Sequence, residues 1–208
     1  MGLLLFTISI ISEDTFSVEC LCSLLNFEFD SSMYSVESGI ENYINTDLLI
    51  IIFSTILSSD VQKYLNKYKN EIITIKHTLI IGGENCFRIF KDLQTKTVYF
   101  RYVNISFPAK KIVDEIRIFM DSLIHDSIRY RQNIVFLPQK RKEVVRYIAK
   151  GFVPQKISQI MGISTKTVSS HKRMSMGELN VKTTTELIVK YNIIDEFIAY
   201  NKLDKCEK

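Results

Sequence analysis

The chain has 208 residues, 46% of them hydrophobic and 24% charged, a globular composition that excludes disordered and fibrous classes. Its length suits one large domain or two small ones. The net charge of +4 is unevenly held: Ile134–Lys208 carries 14 Lys and Arg against 7 Asp and Glu, while the residues before it carry 13 against 16. A basic C-terminal third is the footprint of a module that meets a polyanion, although a solvated basic face leaves the same trace.

No run reaches the roughly 20 uninterrupted apolar residues of a membrane helix. Gly2–Ile11 has the length of a signal-peptide core, but no cationic segment precedes it, and Glu13 and Asp14 follow without a cleavage site. A buried first strand is the expectation. Gly2 does not read as a myristoylation site, because Phe6 stands where that pattern wants a hydroxyl. Cys20, Cys22, Cys86 and Cys206 show no ligand or redox spacing, and His77, His125 and His171 are scattered. Reduced thiols in a cytoplasmic protein, with no metal and no cofactor, are expected.

The front half alternates strand-like and helix-like runs. Leu3–Ile11 reads as a strand, and Phe16–Leu25 as an amphipathic helix. Asp47–Phe53 is a continuous apolar run, the pattern of a strand covered on both faces. Val61–Tyr68 has helical spacing, Thr78–Ile81 is strand-like, and Asn85–Leu93 is helical. Strand Thr97–Val103 and helix Ala109–Ile124 complete the series. This alternation predicts an α/β domain with a parallel sheet. Asp126–Asn133 is polar and breaks the periodicity, so a linker at 126–134 divides a regulatory domain (1–125) from a second domain (135–200).

Beyond the linker the strand signals stop and an all-α domain is expected. Pro138–Lys150 reads as a helix closed by Gly151, a left-handed C′ residue. Pro154 starts a short helix that buries Ile157, Ile160 and Met161, and Gly162 ends it. Ile163 plugs the angle, and Ser164 or Thr165 caps a second helix. Val168 and Leu179 point inward, leaving Lys166, Ser169, Ser170, Lys172 and Arg173 on the outer arc. A short helix, a tight turn and a second helix with hydroxyls and cations outward is how proteins place a helix in the DNA major groove. Arg173 suits guanine or phosphate, Ser169 and Ser170 allow close approach, and Lys166 and Lys172 suit phosphate. Asn180 suits a left-handed C′ position, and Thr183 to Glu186 offers a capping box before a last helix, Leu187–Phe197. The apolar residues Leu187, Ile188, Ile194 and Phe197 exceed what so small a domain buries internally, which points either to a self-association or partner surface or to plain core packing.

Residues from about Leu137 to Tyr191 resemble the LuxR-type four-helix DNA-binding domain, matching at Leu137, Glu143, Val144, Ile148, Ala149, Gly151, Ile157, Ile163, Ser164, Lys166, Thr167, Val168, His171, Leu179 and Val181. Lys166–Lys172 (KTVSSHK) is similar to the recognition helix of the RcsA and RcsB branch. The resemblance implies DNA contacts from Lys156, Lys166, Thr167, Ser169, Ser170, His171, Lys172 and Arg173, with His171 partly buried and orienting. Three positions depart from the pattern: Pro138 replaces a capping Thr, Arg141 replaces an opening Glu and its ion pair, and Ser175 replaces a buried Ile.

In this family the partner domain is often a phosphoacceptor receiver, which the front half resembles. Glu13 and Asp14 stand for the acidic pair, or form an ordinary polar loop. The acceptor position falls on Ile52, the hydroxyl position near Gly82 and the lysine near Asn104. Isoleucine cannot accept phosphate, so a degenerate receiver-like domain is expected. The resemblance implies a DNA-binding transcription regulator, an activator of surface structures such as capsule or fimbriae. It would act as a homodimer or as a heterodimer with an RcsB-like regulator. The competing expectation is a regulator acting mainly by contact with an RcsB-like partner. No nucleophile–base pair, metal cluster or phosphate loop supports an enzyme.

Overall fold

A computed structural model describes residues 5–40, 43–54, 58–91, 93, 98–125 and 137–203. The front half runs β1 (Phe6–Ser12), α1 (Thr15–Glu28), β2 (Tyr34–Ser38), a 3-10 turn (Tyr43–Asn45), β3 (Leu48–Ile52) and α2 (Ser58–Lys67). It continues with α3 (Lys69–Ile75), β4 (His77–Gly82), α4 (Glu84–Phe90), β5 (Tyr99–Asn104) and α5 (Ala109–Ile124). The strands form one parallel sheet in the order β2-β1-β3-β4-β5. Ile10 of β1 sits opposite Ser38 on one side and Ile50 on the other.

The sequence of β3, LLIII, is buried at every position, as a central strand with helices on both faces requires. Successive side chains alternate faces. Leu48, Ile50 and Ile52 join the core under α1 and α5, while Leu49 and Ile51 join the core under α2, α3 and α4. Each such side chain withdrawn from water contributes about 1.5–3 kcal/mol.

The expected α/β domain is present, with several boundaries moved. β1 extends to Ser12, whose hydroxyl donates to the Ile52 carbonyl at 2.8 Å. The helical run expected at Val61–Tyr68 is α2, an unexpected helix α3 follows it, and α4 occupies Glu84–Phe90 rather than Asn85–Leu93. β2 was not expected, because its five residues, YSVES, lie half-buried or exposed at the sheet edge. The linker expected at 126–134 lies outside the described residues.

The C-terminal part is helical: α6 (Gln139–Ala149), α7 (Pro154–Met161), α8 (Thr165–Glu178) and α9 (Thr184–Leu203), the last longer than the expected Leu187–Phe197. Val145, Leu179, Val181, Leu187 and Tyr191 form one small core. Val144, Ile157 and Val168 form another, with Ile163 packed against it. Val189 and Ile193 of α9 belong instead to the front-half core under α2 and α4. Among the described residues no helix is long and apolar enough to cross a membrane.

Candidate nucleic-acid interface

The turn between α7 and α8 follows from three residues. Gly162 adopts a left-handed backbone (φ 63°) that ends α7, a conformation glycine enters without strain. The Ile163 N–H then donates back to the Ser158 carbonyl at 3.1 Å. Ser164 caps α8, its Oγ accepting from the Thr167 N–H at 3.0 Å, so Ser164 rather than Thr165 is the capping residue. The Thr167 hydroxyl lies 2.8 Å from the same Ser164 oxygen, and Thr167 therefore builds the cap.

Val168 and Ser175 are buried along the inner side of α8, and Leu179 is buried just after it. The opposite side carries Lys166, Ser169, Ser170 and Arg173 at spacings of three and four, which is one helix face. Lys166 and Arg173 are exposed, and the two serines are half-buried. His171 and Lys172 flank this face, half-buried, and Lys156 is exposed on α7. Among the described residues Lys156, Lys166, Lys172 and Arg173 form no ion pair, so their charge is available to a polyanion.

One expectation for this region changes. Ile160 is 44% exposed rather than buried, so Ile157 and Met161 carry the α7 contact. Arg141, which stands in place of the family's Glu, makes an ion pair of its own with Glu178 that ties α6 to α8.

The left-handed Asn180 (φ 53°) and the capping box are both present. The Glu186 N–H donates to Thr183 Oγ1 at 3.1 Å, and Glu186 Oε2 accepts from the Lys182 and Thr183 N–H groups at 2.7 and 3.2 Å. Its other oxygen reaches the front half, pairing with the Arg88 guanidinium of α4 at 2.9 Å. One turn on, Lys190 donates from Nζ to the carbonyls of Arg88 and Lys91 at 3.0 and 2.8 Å. That places a cation at the negative end of α4, where the helix dipole favours it. Glu186 and Lys190 are 1% and 2% exposed. Sequence reasoning missed Arg88, Glu186 and Lys190 as a group. The signal was the surplus of apolar residues on α9, part of which is satisfied within the chain.

The acceptor, hydroxyl and lysine positions of a receiver fall on Ile52, Gly82 and Asn104, and Glu13 and Asp14 stand at the acidic pair. Ile52 is buried, and the recess over it, lined by Ser12, Glu13, Ile52, Phe53, Ser54, Asp60 and Tyr64, holds about 10 Å³. Asp14 caps α1, accepting from the Phe16 N–H at 3.1 Å. The Ser17 hydroxyl, and then the backbone N–H groups of Ser17 and Phe16, hold its carboxyl below the usual carboxylate range. A Cβ added at Gly82 would lie 2.9 Å from both Cβ and Sγ of Cys86, so a hydroxyl side chain there requires the first turn of α4 to shift. Asn104 accepts from the N–H and hydroxyl of Ser106 at 2.9 and 2.7 Å.

Residues 136–191 match the model of the bacterial regulatory proteins of the luxR family. No curated protein matches the chain. Among solved structures, the complex of the two-component response regulator RcsB with DNA is 18% identical, with 90% of this chain and 98% of that one covered and a TM-score of 0.52. RcsB of Salmonella enterica serovar Typhimurium, bound to promoter rprA with a phosphomimetic, is 16% identical over 89% and 98%, at a TM-score of 0.55. A structure of two RcsB dimers on two parallel DNAs is 14% identical over 90% and 98%, also at 0.55. At these identities the likeness shows the fold, a parallel α/β domain followed by a helical module.

Proposed function

From a C-terminal segment that matches the luxR family model and a chain with the fold of RcsB, we propose a sequence-specific, DNA-binding transcriptional regulator. The observation that carries this reading is the face of α8. Lys166, Ser169, Ser170 and Arg173 lie along one side of a capped helix, with cations that no carboxylate among the described residues neutralises. Arg173 reads base edges, Ser169 and Ser170 let the helix approach, and Lys156, Lys166 and Lys172 hold phosphates. Thr167 and His171 set the helix through the cap and the flank.

On this reading the chain divides into a receiver-like regulatory domain (1–125), a linker (126–134) and a DNA-binding domain (135–200), and works in the cytoplasm as a homodimer or beside an RcsB-like regulator. The likeness of KTVSSHK to the RcsA and RcsB branch supports activation of surface-structure genes such as capsule or fimbriae. Mapping bound genomic fragments, with and without an RcsB-like partner, tests the assignment. Sequence-selective binding by the chain supports it, and binding that appears only with the partner favours a regulator acting by protein contact.

Lys172→Ala weakens binding to all duplexes alike and lowers the slope of log affinity against log salt by about 1. A sequence-selective loss in a salt titration contradicts the phosphate role. Control by aspartyl phosphorylation is not expected, since Ile52 offers no acceptor and Gly82 no hydroxyl. Acetyl phosphate leaves the chain unlabelled, and an acid-labile adduct on the front half reverses that reading.

A further inference from the structure

At the edge of the sheet formed by β5, a cavity of about 830 Å³ opens between α4, the end of β5 and α5. That volume lies in the roughly 300–1,000 Å³ range of small-molecule sites. Its walls are mainly apolar, with Phe87 from α4, Tyr102 and Val103 from β5, and Ile105 and Phe107 from the loop before α5. The rings are held in place. Tyr102 donates its hydroxyl to the Gly82 and Gly83 carbonyls at 2.6 and 2.8 Å, and its ring lies against Phe87 with centroids 5.3 Å apart. Phe87 keeps 37% of its surface exposed, area that a bound molecule can cover.

Charge decides what kind of molecule suits the cavity. Among the described residues of the lining only Glu84 and Glu115 are charged. Arg88 and Lys182 meet Glu84, and Arg101 meets Glu115, but none of the three lines the cavity. An anion would face two carboxylates and no cation. A metal ion would find too few oxygen ligands in a wall so rich in carbon. The rings themselves already draw ammonium groups. Lys111 Nζ stands 3.7 Å from the centroid of Phe107, and Lys91 Nζ 5.1 Å from that of Phe87, within reach of the ring quadrupole. Lys111 is exposed and lies one turn before Glu115 on α5. Its ammonium is a tethered stand-in for the charge that the cavity favours.

We propose that this cavity binds a small organic cation, an amine carried on a flat aromatic body. The body packs against Phe87, Tyr102 and Phe107, and the ammonium turns toward Glu115 and Glu84. Lys111 competes for the same ring and the same carboxylates, so it sets a threshold that a ligand must exceed.

The chain contains no Trp, so the indole fluorescence of tryptamine reports its binding to the full chain directly. Neutral indole-3-ethanol and anionic indole-3-acetate are matched controls. At neutral pH tryptamine binds with about millimolar affinity or tighter. It exceeds indole-3-acetate by ~10-fold or more, with indole-3-ethanol between them. Glu115→Gln narrows the preference for tryptamine over indole-3-ethanol and leaves the alcohol's affinity unchanged, which also shows that the cavity keeps its shape. Lys111→Ala, at an exposed position, strengthens tryptamine binding by removing the competing ammonium. Phe87→Ala weakens the amine and the alcohol together. Absence of tryptamine binding overturns the proposal, as does equal affinity for all three indoles. A preference for the amine that neither Glu115→Gln nor Lys111→Ala alters puts the ligand elsewhere and overturns it too.

Discussion

Arg173→Ala costs about 1–3 kcal/mol of specific DNA binding and relaxes preference at the base it faces. The magnitude follows from geometry. Arg173 is exposed near the middle of α8, on the same face as Lys166, Ser169 and Ser170, and forms no ion pair among the described residues. Its five donors in a rigid fork suit the two acceptors of guanine. Nothing in the fold leans on the side chain, so the variant keeps wild-type stability. A titration against cognate and scrambled duplexes checks both parts. The difference between the two should shrink, and equal affinity of variant and wild type for the cognate duplex removes Arg173 from the contact.

Glu186→Ala destabilises the fold by about 1–3 kcal/mol, because the Lys182 and Thr183 N–H groups lose their acceptor, while Arg88 keeps Glu84 and Asn85. This carboxylate serves two structures. It closes the capping box of α9 through the Lys182 and Thr183 N–H groups, and it binds Arg88 on α4. Burial pushes its pKa up, but the Arg88 hydrogen bond and those two backbone donors together outweigh burial and hold it below the ordinary 4.5. A carboxylate depressed by folding stabilises the protein fully above its unfolded value, and that stability is lost as pH falls through the folded one. Urea unfolding of wild type should therefore weaken from about pH 4.5 downward. Glu186→Ala should start lower and lose that part of the acid limb. A variant as stable as wild type at pH 7 contradicts the role.

Both effects belong to α8 and α9, the part of the chain where the sequence was easiest to read. Gly162, Ser164 and Val168 act within a few residues of one another, so local backbone rules and 3.6-residue periodicity reveal the turn, the cap and the inward face. β3 was equally plain, because its five residues are buried on both faces and all apolar, and Leu79–Ile81 of β4 follow the same rule. β2 was not, since an edge strand half in water has no such constraint. The Arg88–Glu186 pair joins residues far apart in the chain. Neither residue's neighbours announce the other, and only the docking of α9 across α4 brings them together. The outer arc of α8 was legible as a set of residue types, but the use of Thr167 in the cap appeared only with the hydrogen bonds.

The close approach of Gly82 to Cys86 couples two positions at the joint between β4 and α4. Any side chain at position 82 would begin 2.9 Å from both Cβ and Sγ of Cys86, so enlarging that position demands a compensating change in the first turn of the helix. The end of the strand and the start of the helix can then vary only together.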